Sequence, residues 1–392
     1  MRRVVVVVPG NERGGAATHL GAYAAAVARM GLQEEVHFLS CGDGPLYNRL
    51  QAMGFDDVLH GSFPSLVRGL RQRMRKDAPA LWHFNGPRLN LLGRLAAGGR
   101  TPYTSTVHSH PYKDFLASGW KTTVFTRLNM ASLRSAVGLF VGSRAFADLF
   151  PNTPCFWVPN AVEPPDGVRE AAEARARNAA DWRQRLGLED ADPLVGVVAR
   201  FDPVKDIATV IRALALLPQT HGRRVHLVLA GDGNLRTQLE ETARRAGVAE
   251  RVHFLGFVED PSSLYDAIDL HVSASTSEGE SPYVVLEAGA HGVPTVASDI
   301  VGHRNLIDPG RTGWLFPTGD AAALAATLQV VFADSDRAAE TVAAFQRDVL
   351  PRFSPEAMVR AYLAGYAEMG VIWPTRGEAG CTSRKDEGRP EP

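Results

Sequence analysis

Three features of the 392-residue sequence predict an α/β protein built from two doubly wound parallel sheets that face a cleft. Short β-branched runs alternate with Ala-, Leu- and Arg-rich stretches of helical period. Most of the strand candidates are short apolar or β-branched runs, the pattern of strands covered on both faces. The alternation breaks off after Val158-Pro-Asn-Ala-Val162 and restarts at Leu194, so one such unit follows another.

The opening MRRVVVVVPG has two arginines and five valines before Pro9-Gly10. That run is too short for the apolar region of a signal peptide, and a buried first strand from Arg3 to Val8 is the better reading. Further strands are expected at Val36–Leu39, Leu81–Phe84, Thr104–Val107 and Leu139–Val141, with helices such as Thr18–Met30 between them. A charged helix over Gly167–Leu186 joins the halves. The second set of strands is Val195–Ala199, Val225–Ala230, Val252–Phe254, Leu270–Val272 and Thr295–Ala297. A last helix, Pro355–Met369, precedes RGEAGCTSRKDEGRPEP, a tail with nothing to bury and expected to be disordered. The expected division is 1–163 and 191–354 as the two domains, 164–190 as linker, 355–374 as a C-terminal helical segment and 375–392 as tail.

Composition removes several classes of function. Lys and Arg total 42 against 43 Asp and Glu, a formal net charge of -1, and nothing global points to nucleic-acid binding. Cys41, Cys155 and Cys381 lie far apart without the spacing of a disulfide framework or a zinc site. No apolar run has the length of a membrane span. A cytoplasmic protein is expected.

Arg200 and Lys205 in ARFDPVKD fall between the end of one strand and the start of the next helix. Two cations beside free helix N–H groups suit a diphosphate, because charge, dipole and donors converge there. AGDGNLR, with Gly231 and Gly233, and PGNERGGAATHL, with Gly14 and Gly15, are turns that open helices. Neither is a full GxGxxG fingerprint, which argues against a nicotinamide oxidoreductase. STSEGESPYVVLEAGAHGVP sets Glu278 and Glu280 in a Gly/Ser/Pro loop and Glu287 behind an apolar run. A carboxylate there can accept hydrogen bonds from vicinal hydroxyls, which offset its burial. The backbone N–H groups of Gly279, Glu280 and Ser281 can cradle sugar or phosphate oxygens.

The ordered set GGAATHL, VHSH, VPNAV, ARFDPVKD, AGDGNLR, VHFLGFVED, SEGESPYVVLEAGAHGVPTVASD and GHRNLIDPGRTGWLF resembles the glycosyl transferases group 1 family over roughly residues 3 to 370. The resemblance implies the GT-B fold, with an acceptor-binding first domain, a nucleotide-sugar-binding second domain and a C-terminal helix crossing back to the first. It implies a retaining, metal-independent, hexosyltransferase-like enzyme of cell-surface polysaccharide or glycolipid synthesis, related to glycogen synthase. It requires no cofactor beyond its nucleoside-diphosphate-sugar donor. A non-hydrolysing sugar-nucleotide epimerase of similar fold is the alternative, and a non-catalytic sugar-binding protein a third.

Residue by residue, the resemblance assigns His108 to the O6 hydroxyl of the donor sugar, with His83 and His110 as rivals. Arg200 and Lys205 meet the departing diphosphate, and Glu287 holds the ribose hydroxyls. Nucleobase contacts are expected from the backbone of Phe257 and Val258, and close backbone approach to the donor at Gly14, Gly15 and Gly231. The family's first glutamate contacts hydroxyls of the transferred sugar and normally stands where Gly279 is, so an inserted residue leaves Glu278 and Glu280 as candidates. Asp206 stands where the family often has Gly or Asn, and Asn305 where it often has Glu.

FPSLVRGLRQRMRK, Phe63–Lys76, has Phe63, Leu66, Val67, Leu70 and Met74 on one helical face and five cations elsewhere. The simpler expectation is a helix packed on the sheet with solvated cations. The sharper one is that this surface, with Lys113 to Arg134, rests on an anionic membrane at the inner face and presents a lipid-linked acceptor.

Overall fold

The computed structural model describes residues 4–12, 14–76, 80–108, 110–112, 120–163, 168–189, 192–218 and 224–371. The tail 375–392, Cys381 and the start of the Lys113–Arg134 region lie outside them.

The first sheet contains β1 (Val4–Pro9), β2 (Val36–Cys41), β3 (Val58–Leu59), β4 (Leu81–Asn85), β5 (Tyr103–Val107), β6 (Leu139–Val141) and β7 (Cys155–Trp157). The second contains β8 (Leu194–Val198), β9 (His226–Ala230), β10 (Val252–Gly256), β11 (Leu270–Ser273), β12 (Thr295–Ser298) and β13 (Trp314–Phe316). The orders are β3-β2-β1-β4-β5-β6-β7 and β10-β9-β8-β11-β12-β13, parallel throughout. Both orders reverse direction beside their first strand, where doubly wound sheets open a crevice at the carboxyl ends. Val4 to Val8 are at most 1% exposed, so β1 is covered on both faces, as its unbroken valines require. The short strands β3, β7 and β13 join the predicted set.

The helices of the first half are α1 (Gly15–Arg29), α2 (Pro45–Ala52), α3 (Phe63–Lys76), α4 (Pro87–Ala97) and α5 (Trp120–Arg134), followed by the connecting α6 (Val168–Leu186). In the second half come α7 (Ile207–Leu216), α8 (Arg236–Arg245), α9 (Ser262–Tyr265), α10 (Tyr283–Ala290), α11 (Val301–Arg304), α12 (Ala321–Ala333), α13 (Ser335–Asp348) and α14 (Pro355–Glu368). Gly14, at φ 71°, lets the chain turn sharply from β1 into α1. Ser354 caps α14, its Oγ accepting from the Ala357 N–H at 3.2 Å, and Pro355 occupies the first helical position.

α14 follows the second domain in sequence but completes the core of the first. Met358, Val359, Tyr362 and Tyr366 are fully buried among Val4, Val6, Leu20, Tyr23 and Phe38. Each such side chain contributes about 1.5–3 kcal/mol of burial. The crossing-back helix expected from the sequence is therefore present.

In α3, Leu66, Leu70 and Met74 are buried, so the apolar stripe packs inward. Arg71 donates to the Leu95 and Ala96 carbonyls, and Arg73 pairs with Asp57 at 2.6 Å. Arg68, Arg75 and Lys76 are exposed. On α5, Val124, Phe125 and Leu128 are 42, 45 and 38% exposed. No helix among the described residues is long and apolar enough to cross a membrane.

Candidate active site

The carboxyl ends of both sheets meet at a cavity of about 310 Å³. Its first-domain wall includes His19 of α1, Thr106 at the end of β5, His108, His110, Ser143 and Asn160. Its second-domain wall includes Arg200, Asp202, Lys205, Ser277, Glu278, Gly279 and Glu280.

Arg200 follows β8, is 81% exposed and is held by Asp202 at 2.8 Å. A tight 3-10 turn, Pro203–Lys205, comes next, with the Asp202 carboxylate accepting from the Val204 N–H at 3.1 Å. Asp206 closes this turn at φ 42°, the only non-glycine at positive φ among the described residues. That conformation favours Gly and Asn, which accounts for the family residues at this position. The turn brings the Lys205 ammonium, only 19% exposed, onto the Glu278 carboxylate. Ser275 Oγ donates to the same Glu278 oxygen at 2.6 Å.

Glu278 and Glu280 are clearly separated. Glu280 is fixed across the domain boundary, where Ser143 Oγ donates to it at 3.1 Å, Arg144 Nη1 at 2.8 Å and the Arg144 backbone N–H as well. The Arg144 guanidinium stacks 4.0 Å over Trp157. Glu278, on the same cavity wall, is held instead by Lys205 and Ser275 of its own domain. The loop carrying both has little room behind it: a Cβ on Gly302 would lie 2.3 Å from the Gly279 carbonyl oxygen.

Of the three histidines considered from sequence, His108 and His110 line the cavity and His83 does not. His108 Nε2 is 3.2 Å from Asn85 Oδ1 and so donates to it. Burial, and then His19 and His83, hold its pKa well below the usual range, so the ring is neutral. His83 is fully buried between Thr106 and Tyr366, and burial lowers its pKa to about 3. His19, absent from the expected site, lines the same cavity. It lies on α1 five residues beyond Gly14, and its ring is 5.1 Å from that of His108.

Residues 178–347 match the family described as glycosyl transferases group 1, and residues 14–160 match the glycosyl transferase 4-like domain. The segment 178–347 belongs to the glycosyl transferases group 1 family. It is 32% identical over 181 residues to the lipopolysaccharide core biosynthesis glycosyltransferase LpsE of Rhizobium meliloti, covering 46% of this chain and 52% of that protein. It is 31% identical over 262 residues to the putative glycosyltransferase EpsF of Bacillus subtilis, covering 63% and 64%. The chain thus spans about half to two thirds of these relatives. HepE of Anabaena, solved with UDP and glucose, superposes with a TM-score of 0.75 at 20% identity, over 94% of this chain and 100% of that one. Sucrose-phosphate synthase of Thermosynechococcus elongatus gives 0.69 at 21%, over 94% and 99%. The architecture is GT-B.

The remaining expected site residues are not on the wall of this cavity. Gly15 opens α1 opposite the second domain, where an added Cβ would lie 4.0 Å from the Tyr283 ring. Gly231 has a packing reason of its own: a Cβ there would lie 1.8 Å from the Ala199 carbonyl oxygen, so only glycine lets β9 end this close to Arg200. Ser281 is 1% exposed and accepts from the Asn160 backbone N–H at 3.0 Å. Phe257 is 80% exposed on the loop after β10, while Val258 packs inward.

Glu287 lies in the middle of α10, beyond the first turn where an acid would favour the helix dipole. It accepts from Tyr265 Oη at 3.0 Å. Burial raises its pKa, which that hydrogen bond lowers and Asp260 raises further. Among the described residues no cluster of three or more His, Cys, Asp or Glu is placed to hold a metal ion.

Proposed function

We propose that the protein is a retaining glycosyltransferase that moves a sugar from a nucleoside diphosphate to a hydroxyl of a glycan or lipid-linked acceptor in cell-surface polysaccharide synthesis. The observation that carries this reading is the convergence of Arg200, the Lys205–Glu278 pair and a neutral His108 on one cavity between the domains. Cleavage of the anomeric C–O bond leaves the diphosphate with extra negative charge. Arg200 and Lys205 meet that charge as it develops, so the step needs no metal. Glu278 accepts from sugar hydroxyls, and His108 can bond another. In a same-face substitution the leaving phosphate oxygen takes the acceptor proton, and no carboxylate nucleophile is required. Glu287 and the Phe257–Val258 loop take the ribose and the base.

For the acceptor, a second cavity of about 460 Å³ opens at the carboxyl ends of the first-domain strands. Asn85 lines it while accepting from His108, which lines the first cavity, so one hydrogen-bonded pair stands between donor and acceptor spaces. HepE has been solved with UDP, UDP-glucose and glucose, which makes uridine diphosphate sugars the first donors to test.

Thermal denaturation with a panel of sugar nucleotides, followed by transfer assays with and without acceptor, tests the reading. At a hundredfold excess over its dissociation constant the cognate donor should add roughly 2.7 kcal/mol of stability. A donor converted to an isomer without any acceptor would replace this reading with epimerisation. Stabilisation by none of the nucleotides would overturn it.

A lipid-linked acceptor would be reached across the first-domain helices, where Arg68, Arg75 and Lys76 of α3 and Val124 and Leu128 of α5 are exposed. Each cation contributes about 1 kcal/mol near an anionic surface, enough together for reversible binding. The protein should sediment with anionic liposomes at low salt, and stay in solution with neutral ones or at high salt. Equal recovery in the supernatant under all conditions would favour a soluble acceptor.

A further inference from the structure

We propose that His19 is a positioning residue: through Asn160 it fixes Ser281 and thereby the glutamate loop 277–282, and it is itself set by Tyr362 of the C-terminal helix. The proposal rests on a chain of hydrogen bonds whose donors are fixed one after another. Asn160 Nδ2 donates to the Ser281 carbonyl at 2.8 Å, while its backbone N–H donates to Ser281 Oγ at 3.0 Å. Its side-chain oxygen therefore faces His19 Nδ1, 3.3 Å away, and that nitrogen must carry the hydrogen. His19 Nε2 is then a bare lone pair, and Tyr362 Oη donates to it at 2.8 Å.

The same logic runs on into the core. Having given its hydrogen to His19, Tyr362 Oη can only accept from Thr106 Oγ1, at 3.3 Å. Thr106 in turn accepts from His83 Nε2 at 2.7 Å, leaving His83 Nδ1 to accept from Tyr366 Oη at 2.6 Å. Tyr23 Oη donates to Tyr366 Oη at 3.2 Å. Every hydrogen from Tyr23 to Ser281 points the same way, through α1, β4, β5, α14 and the interdomain crossing. Bonds aligned in this manner reinforce one another in a buried setting, and a missing member strands a buried partner. His19 is 3% exposed and Tyr362 is fully buried. The chain ends one residue beyond Glu280, so a displaced Ser281 moves the carboxylates of the loop.

The test uses full-length His19→Phe, His19→Asn and Asn160→Asp proteins. Phenylalanine fills the space without a donor. Asparagine keeps an N–H near the place of Nδ1, and the aspartate at 160 sets an oxygen against the Ser281 carbonyl. The first readout is hydrogen exchange of the backbone amides of residues 277–281 and needs no substrate. Exchange there should rise roughly tenfold or more in His19→Phe and Asn160→Asp, with His19→Asn close to wild type. The second readout rests on the transfer reading above: kcat should fall by about tenfold in the same two variants, and His19→Asn should restore most of it. Wild-type loop exchange in a folded Asn160→Asp protein, or equal loss in His19→Asn and His19→Phe, would overturn the proposal. Wild-type protein that transfers no sugar would defeat the functional reading alone, since loop exchange still decides the role of His19.

Discussion

Lys205→Ala should lower sugar transfer at least tenfold while leaving the fold intact, and Arg200→Ala should do the same. A charge-assisted hydrogen bond to a diphosphate contributes about 1.5–3 kcal/mol, so loss of either cation reaches that range. The two variants should differ in stability. Arg200 is 81% exposed and its pair with Asp202 contributes little to the fold. Lys205 is largely enclosed, and its removal leaves the Glu278 carboxylate, 14% exposed, with Ser275 as its remaining side-chain partner. Lys205→Ala should therefore also lower the melting temperature, and Lys205→Ala/Glu278→Gln should regain stability without regaining transfer. Steady-state kinetics alongside thermal melts separate these effects. Near-wild-type rates for both single variants would remove the diphosphate assignment.

The second large effect is expected at Glu287. Glu287→Gln should weaken binding of the free nucleoside diphosphate by about tenfold, the loss expected when charged hydrogen bonds to vicinal hydroxyls become neutral ones. The same substitution should stabilise the empty protein at neutral pH. Burial raises the Glu287 pKa above the usual 4.5, so the folded state holds that proton more tightly than the unfolded one. Stability linked to this group is complete below the unfolded value and is lost as pH rises through the folded one. Wild type and variant should thus melt alike in acid and diverge above pH 4.5, the variant being the more stable. Isothermal titration with the free nucleotide, and melts across that pH range, check both halves. An unchanged affinity would place the ribose elsewhere.

The long apolar strands were legible because their pattern needs only burial on two faces. Val58–Leu59, Cys155–Trp157 and Trp314–Phe316 were not, being only two or three residues long and held by neighbouring strands rather than by their own composition. Spacing alone left Glu278 and Glu280 equivalent. What separates them is a pair of partners distant in sequence, Lys205 for one and Arg144 for the other. His19 was invisible for a related reason, since a lone histidine in an alanine-rich helix has no local signal. A faint one existed in combination: His19 and Tyr23 are spaced i, i+4, as are Tyr362 and Tyr366, so each pair presents polar aromatics on one helical face. The Tyr23 and Tyr362 rings stack at 4.3 Å, a contact that joins the two ends of the sequence and has no trace in either end alone.

That contact constrains how the molecule is made. A ribosome releases the first domain early, yet the side chains that seal its interior arrive only with Pro355–Glu368, after the whole second domain has emerged. Until then α1 exposes the apolar surface that will meet Tyr362 and Tyr366, a surface on which a nascent chain can misassemble or a chaperone can hold. The second domain, whose core draws on residues 195–338, is free to fold first. In this protein the order of synthesis and the order of completion are reversed.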